Sequence, residues 1–259
     1  NDYEVFAYYH RPQCVPEGQV GNFGLIPVAP AVIITPPSLS ESFQPYADWL
    51  TAQGTRTKIV TDNVIYFHFP PTQYADSAEC IREYMKYCHQ YGGTYFILGG
   101  DQQFIPVRYC YPVSEDNWWP HPAYIIPTDF YFCDLTGNWN VDGDEKWGEP
   151  VDDDPDKYAE VFVGRVTAYN QTEVTNWVNK TLTYEKTPSN WDFATSLWIR
   201  NTTVPPGDAW MVFPDGIAHY WLNDCNADEV VDFLGHGYGF CNQHAHGTIN
   251  VFHPHAWGE

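Results

Sequence analysis

The chain has 259 residues, of which 44% are hydrophobic and 17% aromatic, so it is long enough to bury a large core. Its 33 acidic residues against 12 basic ones give a formal net charge of −21, which excludes nucleic acid and anionic membranes as default partners. No run of apolar residues is long enough to span a bilayer, and the acidity fits an extracellular protein or one that binds cations.

Predicted strands and helices alternate through the first part of the chain. Residues 1–30 contain four prolines, which break any regular element, so this segment is predicted to be irregular. The next elements are a strand at Ala31–Thr35, a helix at Leu39–Gln53, a strand at Thr57–Thr61, a helix opened by the Asp76–Glu79 capping box, and a strand at Tyr95–Leu98. This alternation predicts a parallel sheet in a first α/β subdomain, residues 31–110.

The second predicted subdomain covers residues 111–259. A Pro- and Trp-rich passage leads into an acidic loop at residues 129–156. The elements after it are a strand at Val161–Val163, a helix from Thr172 to near Glu185, a strand at Ser196–Arg200, a short helix at Asp215–Leu222 and a strand at Val230–Leu234. The whole pattern predicts an α/β fold of two packed subdomains, each a mostly parallel sheet flanked by helices.

The acidic loop follows a calcium-binding pattern. It holds ten carboxylates and one lysine, a density that repels itself unless a cation neutralises it. Residues 138–149 match D-x-[DN]-x-[DN]-G-x₅-E, except that Asn138 stands where Asp is usual, and Gly143 allows the sharp turn. The predicted calcium ligands are Asn138, Asn140, Asp142, Asp144 and Glu149. No helices of the EF-hand type flank the loop, so the calcium would be structural; the alternative is a solvated acidic loop.

A Gly-His-Gly triplet follows the last predicted strand, and it is the first candidate for chemistry. Gly235 and Gly237 free the backbone on either side of His236. A histidine exposed at the carboxyl end of a parallel strand lies where open α/β sheets place their active sites. The alternative, from this stretch alone, is a turn that happens to contain a histidine.

Several segments, in their order and spacing, resemble a known enzyme family. They are Tyr95–Asp101, Phe104–Pro106, Val161–Val166, the helix from Glu173 to Glu185, and Gly235–Gly237. Together they are similar to the gingipain-type cysteine peptidases, which have a caspase-like fold, and the resemblance runs from about Ala31 to Gly237. It implies a secreted cysteine endopeptidase, a hydrolase that cleaves peptide or protein substrates with a cysteine–histidine dyad.

The resemblance implies that His236 is the general base of the dyad. The nucleophilic cysteine should follow the next strand, roughly thirty residues on, because parallel strands need a crossover connection. The chain ends at Glu259, and Cys241 lies only five residues past His236, so we expect the nucleophile in a C-terminal continuation or a second chain. The backbone N–H of Gly237 is the implied oxyanion donor, and Asp215 is a candidate for recognising a basic P1 side chain.

The C-terminal segment is rich in histidine and offers a second kind of candidate site. The two triplets His244-Ala-His246 and His253-Pro-His255 could bind zinc or copper, with Cys241 nearby as a soft ligand. Alternate residues on a strand share one face, which suits chelation. The alternative is a polar surface loop.

Cysteines and glycosylation sequons are the remaining features of the sequence. The seven cysteines show no CxxC spacing, which argues against a zinc ribbon or a thioredoxin-type site. Sequons at Asn170, Asn179 and Asn201 are compatible with a secreted glycoprotein. The alternative function, from a different class, is a non-catalytic extracellular protein that uses a peptidase fold for binding or assembly.

Overall fold

A computed structural model describes most of the chain. The described residues are 26–111, 125–150, 152–156, 158–186, 195–200, 218–244, 246–247 and 252–253. The chain divides into two compact units, Asn1–Leu182 and Thr183–Glu259. Among the described residues, no helix combines the length and the apolar character needed to cross a membrane.

Strands and helices alternate along the described residues, which confirms the α/β class. The strands are β1 (Ala31–Thr35), β2 (Thr57–Thr61), β3 (Tyr95–Gly99), β4 (Arg108–Cys110), β5 (Ile126–Thr128), β6 (Phe162–Val166), β7 (Thr195–Arg200), β8 (Ala218–Asn223), β9 (Phe240–His244), β10 (His246–Gly247) and β11 (Phe252–His253). The helices are α1 (Pro37–Ala52), α2 (Asp62–His68), α3 (Ser77–Gln90), α4 (Gln171–Lys186) and α5 (Ala227–Gly235).

The first unit is built on a four-stranded parallel sheet in the order β2-β1-β3-β6. All five residues of β1 are buried, as expected for a strand covered on both faces. Because successive side chains alternate, Val32 and Ile34 join the apolar cluster that includes α3 residues such as Ile81. Ile33 points the other way, into the cluster formed with α1 and α4, where it meets Phe43. The sheet is therefore the middle layer between two helical layers.

β6 extends the first unit beyond the predicted subdomain boundary. It pairs in parallel with β3 along its whole length, from Tyr95↔Phe162 to Gly99↔Val166. Residues 31–110 therefore lack one strand of their own sheet, and the observed division of the chain falls after Leu182. The strands β3 and β6 are separated by more than sixty residues in sequence, and composition does not reveal that pairing.

Arg165 of β6 fixes the carboxyl edge of this sheet. Its Nε and Nη2 each donate to one carboxylate oxygen of Asp129 at 2.7 Å. Its remaining N–H groups donate to the carbonyl oxygens of Gly100 (3.1 Å), Ile105 (2.6 Å) and Pro106 (3.0 Å). All five guanidinium donors are thus used. Arg165 therefore joins β6 to Asp129 and to the backbone of the loop that follows β3.

The second unit contains a three-stranded parallel sheet in the order β8-β7-β9. The helix α5 connects β8 to β9 and packs Val230 and Phe233 against a small core that contains Leu197, Ile199 and Cys225. Two sequence predictions are wrong here. Residues predicted as the end of a short helix form β8, and the predicted strand Val230–Leu234 is part of α5.

The N-terminus of α5 explains why it is a helix. The Asn226 side chain accepts from the Glu229 N–H at 3.0 Å, and the Glu229 carboxylate accepts from the Asn226 N–H at 2.9 Å. This reciprocal capping box satisfies two donors that a helix start leaves without partners. A short apolar run such as Val-Val-Asp-Phe-Leu fits a strand or a helix equally well, and the cap decides between them.

Candidate active site and metal centres

His236, the histidine predicted to be catalytic, is the C-cap residue of α5. Its side chain is exposed, and its backbone N–H donates to the Phe233 carbonyl at 3.0 Å. Gly237 has a φ of +79° and donates its N–H to the Leu234 carbonyl at 3.3 Å, the usual way in which a helix ends in a left-handed glycine. The Gly-His-Gly triplet therefore ends a helix, and the N–H proposed for an oxyanion already has a partner.

The direction of α5 places His236 at one particular edge of the sheet. Because β8 and β9 are parallel, the helix between them must return the chain from the carboxyl edge to the amino edge. Its nine residues span about 14 Å. His236 therefore lies at the amino edge, just before β9 begins at Phe240. This is the opposite edge from the one at which parallel sheets place their chemistry.

The carboxyl edge of the same sheet is reached by a different histidine pair. Strand register sets Arg200 of β7 level with Asn223 of β8 and with His244 of β9. His244 is the last residue of β9, and His246 follows two residues later. Asp224, directly after β8, has a φ of +48°. Within the described residues, the histidines that end or directly follow β9 at this edge are thus His244 and His246.

His246 also begins a short antiparallel hairpin. The strands β10 and β11 pair so that His246 is the partner of His253 and Gly247 is the partner of Phe252. Of the four histidines predicted as transition-metal ligands, three are described by the structure at the level of the backbone. His255 lies outside the described residues, and so does Asp215, the residue predicted to recognise a P1 side chain.

Carboxylates do converge in the predicted calcium loop. Oxygen atoms of Asp142, Asp144 and Glu149 all lie within 4.8 Å of one another. The other two predicted ligands shape the turn: Asn140 Oδ1 accepts from the Gly143 N–H at 2.8 Å, and Asn138 Oδ1 accepts from the Asn140 N–H at 3.2 Å. The three carboxylates are hard oxygen ligands at the spacing that a calcium ion can bridge.

Two aspartates that the loop pattern does not contain hold this loop in shape. Asp153 accepts three backbone N–H groups, from Val141 (2.7 Å), Gly148 (2.7 Å) and Glu149 (3.1 Å). Asp134 is fully buried and accepts from the indole N–H of Trp139 at 2.9 Å. It also accepts backbone N–H groups of Gly137 and Asp156. Their spacing follows no ligand motif, so the sequence carried no signal for their roles.

Five cysteines in the described residues, four of them buried and Cys133 partly buried, are poor nucleophiles. Burial raises the pKa of the Cys80 thiol to about 11 and that of Cys88 to about 12. Burial likewise raises the pKa of the Cys110, Cys133 and Cys225 thiols. Because the thiolate is the attacking form, none of these five is suited to start catalysis near neutral pH.

Comparison with known proteins identifies relatives of the chain. It matches the sequence model of peptidase family C25 over residues 27–253. Gingipain R2 of Porphyromonas gingivalis (strain ATCC BAA-308 / W83) is 23% identical over 186 residues, which is 70% of this chain and 19% of that protein. The sequence family and the predicted resemblance therefore agree.

Solved structures confirm the fold. The crystal structure of the Arg-specific cysteine proteinase gingipain R superimposes with a TM-score of 0.56 at 16% identity, covering 84% of this chain and 47% of that one. A second solved structure, of a protease, gives a TM-score of 0.52 at 14% identity over 84% of this chain and 45% of the other. The chain thus spans about half the length of these two structures and about a fifth of the curated relative.

Proposed function

The chain belongs to peptidase family C25. From that premise we propose that it is a cysteine peptidase domain and that it supplies the histidine of a secreted cysteine endopeptidase. In this reaction a cysteine thiolate attacks the carbonyl carbon of a peptide bond. The histidine takes the thiol proton and then protonates the leaving amine. A hydrolytic water releases the acyl group, with the histidine now acting as its base.

We assign the general base to His246 in place of His236. The observation that carries this assignment is the direction of the strands: β9 is parallel to β7, and His246 follows its carboxyl end. His246-Gly247 repeats the His-Gly pair of the Gly235–Gly237 triplet, which is one of the segments in the resemblance. His236 fails on both physical requirements, because a helix precedes it and it lies at the opposite edge of the sheet.

The position of β9 also suggests where the nucleophile would enter. β9 is an outer strand of the sheet in the described residues, with β7 on one side. A further parallel strand added beside β9 would run about 4.8 Å away, which brings a residue at its carboxyl end close to His246. A crossover connection of a dozen or more residues must precede such a strand. We therefore expect the cysteine well beyond His246, in a C-terminal continuation or a second chain.

Matched histidine variants of the full-length protein test the assignment. The rate of cleavage of a fluorogenic peptide, and labelling by a thiol-reactive peptidyl ketone, would be measured for His246→Ala and His236→Ala. General acid–base catalysis is worth about 10²–10⁴-fold, so His246→Ala should lose at least about 10² in kcat/KM. His236→Ala should stay within a factor of about three, since this exposed side chain lies at the amino edge and its ring contact is with Phe233 of the same helix.

The two variants separate the possible assignments. A large loss confined to His236→Ala would return the general base to the Gly-His-Gly triplet. A full-length protein that neither cleaves peptides nor reacts with the ketone would refute the peptidase, and the non-catalytic binding or assembly protein would take its place. Far-ultraviolet circular dichroism of each variant excludes loss of fold as the cause.

We propose that the acidic loop binds one structural calcium ion, which extracellular fluid would supply. The support is the convergence of Asp142, Asp144 and Glu149 within 4.8 Å, together with the sharp turn at Gly143, whose φ is +77°. With asparagine in the first place of the pattern, we expect an affinity in the roughly 10⁻⁴–10⁻³ M range of extracellular modules. Calorimetry on EDTA-treated protein should show a calcium-dependent rise in Tm that Glu149→Gln abolishes. An identical Tm with and without calcium would refute the site.

A further inference from the structure

We propose that His246 and His253 form a binding site for a transition-metal cation such as zinc, and that the bound ion inhibits the peptidase by occupying its general base. The juxtaposition that carries this is the β10–β11 register, in which these two histidines are direct partners across an antiparallel pair. The inhibitory part rests on the proposed role of His246. The metal site itself does not.

The cross-strand register of the two histidines is the placement that a chelating pair needs. Directly opposed residues of an antiparallel pair have Cβ atoms about 4.5–5.5 Å apart and share one face of the ladder. Zinc binds imidazole nitrogens at about 2.0–2.1 Å, so two histidines at positions this close suit one shared ion. The hairpin fixes the separation of the two residues before the ion arrives, which lowers the entropy lost on binding.

Other features of the chain favour cation binding at this place. His244 ends β9 two residues before His246, so a third imidazole stands next to the pair in sequence. The net charge of −21 raises the local concentration of any dication around the protein. Imidazole prefers zinc, copper and nickel, whereas the carboxylates of the acidic loop prefer calcium. We therefore expect the two sites to select different metal ions.

Inhibition follows from the chemistry of the ligand. A histidine must be neutral to bind a metal, and it uses its free nitrogen lone pair to do so. That lone pair is the one that would accept the proton of the catalytic thiol. While zinc is bound, His246 cannot act as the base, and removal of the ion restores it. Zinc would thus be a reversible inhibitor that acts through a residue, His253, with no part in the reaction itself.

Zinc titration of the full-length protein tests the metal site. Isothermal titration calorimetry would be run on the unmodified protein and on His246→Ala, His253→Ala and His236→Ala. The buffer contains calcium, so that zinc does not compete for the carboxylates of the acidic loop. Loss of either partner should weaken binding at least about tenfold, as the loss of a supporting ligand interaction usually does. His236→Ala should bind like the unmodified protein. Zinc binding that His253→Ala leaves unchanged would overturn the proposal. His253→Gln replaces His253→Ala should the latter fail to fold.

Activity measured alongside keeps the two proposals distinguishable. The rate of each variant with zinc is divided by the rate of the same variant without zinc. Any zinc that binds the catalytic thiol inhibits all variants alike, so a difference between them reports on the histidine pair. The concentration of zinc that halves the rate should rise at least about tenfold in His253→Ala. An active enzyme with the same zinc sensitivity in this variant would refute the histidine pair and leave the peptidase intact. Zinc bound through the pair of an inactive protein would refute the peptidase and leave the metal site intact.

Discussion

Replacing Arg165 by lysine should lower the free energy of unfolding of the first unit, whereas replacing the neighbouring Gly164 by alanine should leave it nearly unchanged. Both residues belong to the Val-Gly-Arg-Val stretch of β6. The Arg165 side chain is only 9% exposed, and it joins β6 to the loop after β3 and to Asp129. Gly164 has nothing within 4 Å of where a Cβ would stand. The two substitutions therefore lie side by side in one strand, but only the first removes hydrogen bonds.

The magnitude follows from the hydrogen bonds. Arginine uses all five N–H donors here, and lysine offers three on a single nitrogen, so at least two bonds are lost although the charge opposite Asp129 remains. At about 1–1.5 kcal/mol net per bond, Arg165→Lys should lower the free energy of unfolding by about 2–3 kcal/mol. Gly164→Ala should change it by less than about 0.5 kcal/mol, as exposed substitutions usually do.

Urea unfolding followed by tryptophan fluorescence measures both changes. Trp139 belongs to a core cluster of the first unit, and Trp147 packs against the same cluster. Their emission therefore reports on the folding of this unit. A midpoint for Arg165→Lys that matches Gly164→Ala would refute the reasoning, since it would mean that charge alone, without the fork of donors, holds the edge. Asp129→Asn combined with Arg165→Lys should cost less than the sum of the single changes, because both remove one shared interaction.

Three further expectations come from the same unit. Gly99→Ala should destabilise by about 1–3 kcal/mol in urea, because its Cβ would lie 2.7 Å from the ring of Phe43; a change under about 0.5 kcal/mol would contradict this close packing. Burial raises the pKa of the Asp76 carboxyl, but hydrogen bonds from Arg108 and the Glu79 N–H outweigh it and hold the pKa below its usual value. Its stabilising contribution is therefore complete above about pH 4 and is lost as the pH falls through the lower folded-state pKa, so Asp76→Asn should flatten the acid limb of a stability–pH curve. The Cys88 thiol, whose pKa burial raises to about 12, should react with a disulfide reagent at pH 8 only as fast as the protein unfolds, and prompt labelling would contradict its burial.

The first unit was largely predictable because its local signals agree with one another. β1 is a continuous apolar run, as a strand buried on both faces must be, and the Asp76 cap fixed the start of α3. α2, at Asp62–His68, was missed because seven residues are too few to show a helical period. Membership of β6 in this sheet was not predictable, since pairing between distant strands leaves no mark on composition.

The strand predicted at Val230–Leu234 is part of α5, and the sequence contains a helix cap that indicates this. Asn226 and Glu229 have the same three-residue spacing as Asp76 and Glu79, the pair that correctly predicted the start of α3. The apolar run before the Gly-His-Gly triplet contains Val230 and Val231, and valine favours a strand. Given a helix there, the crossover rule alone would have placed His236 at the amino edge of the sheet.

The histidine of a peptidase of this kind is therefore assigned by chain direction, because the short motif occurs at both edges. His236-Gly237 and His246-Gly247 are alike in sequence, but α5 runs towards the first and β9 runs towards the second. In a parallel sheet only the carboxyl edge gathers the ends of several strands, so a nucleophile carried by one strand can meet a base carried by another. His236 could meet a thiol at the end of a neighbouring strand only if that strand ran in the opposite direction. Because β7, β8 and β9 are parallel, a further parallel strand beside β9 would end near His246, and this is why we propose His246 as the base.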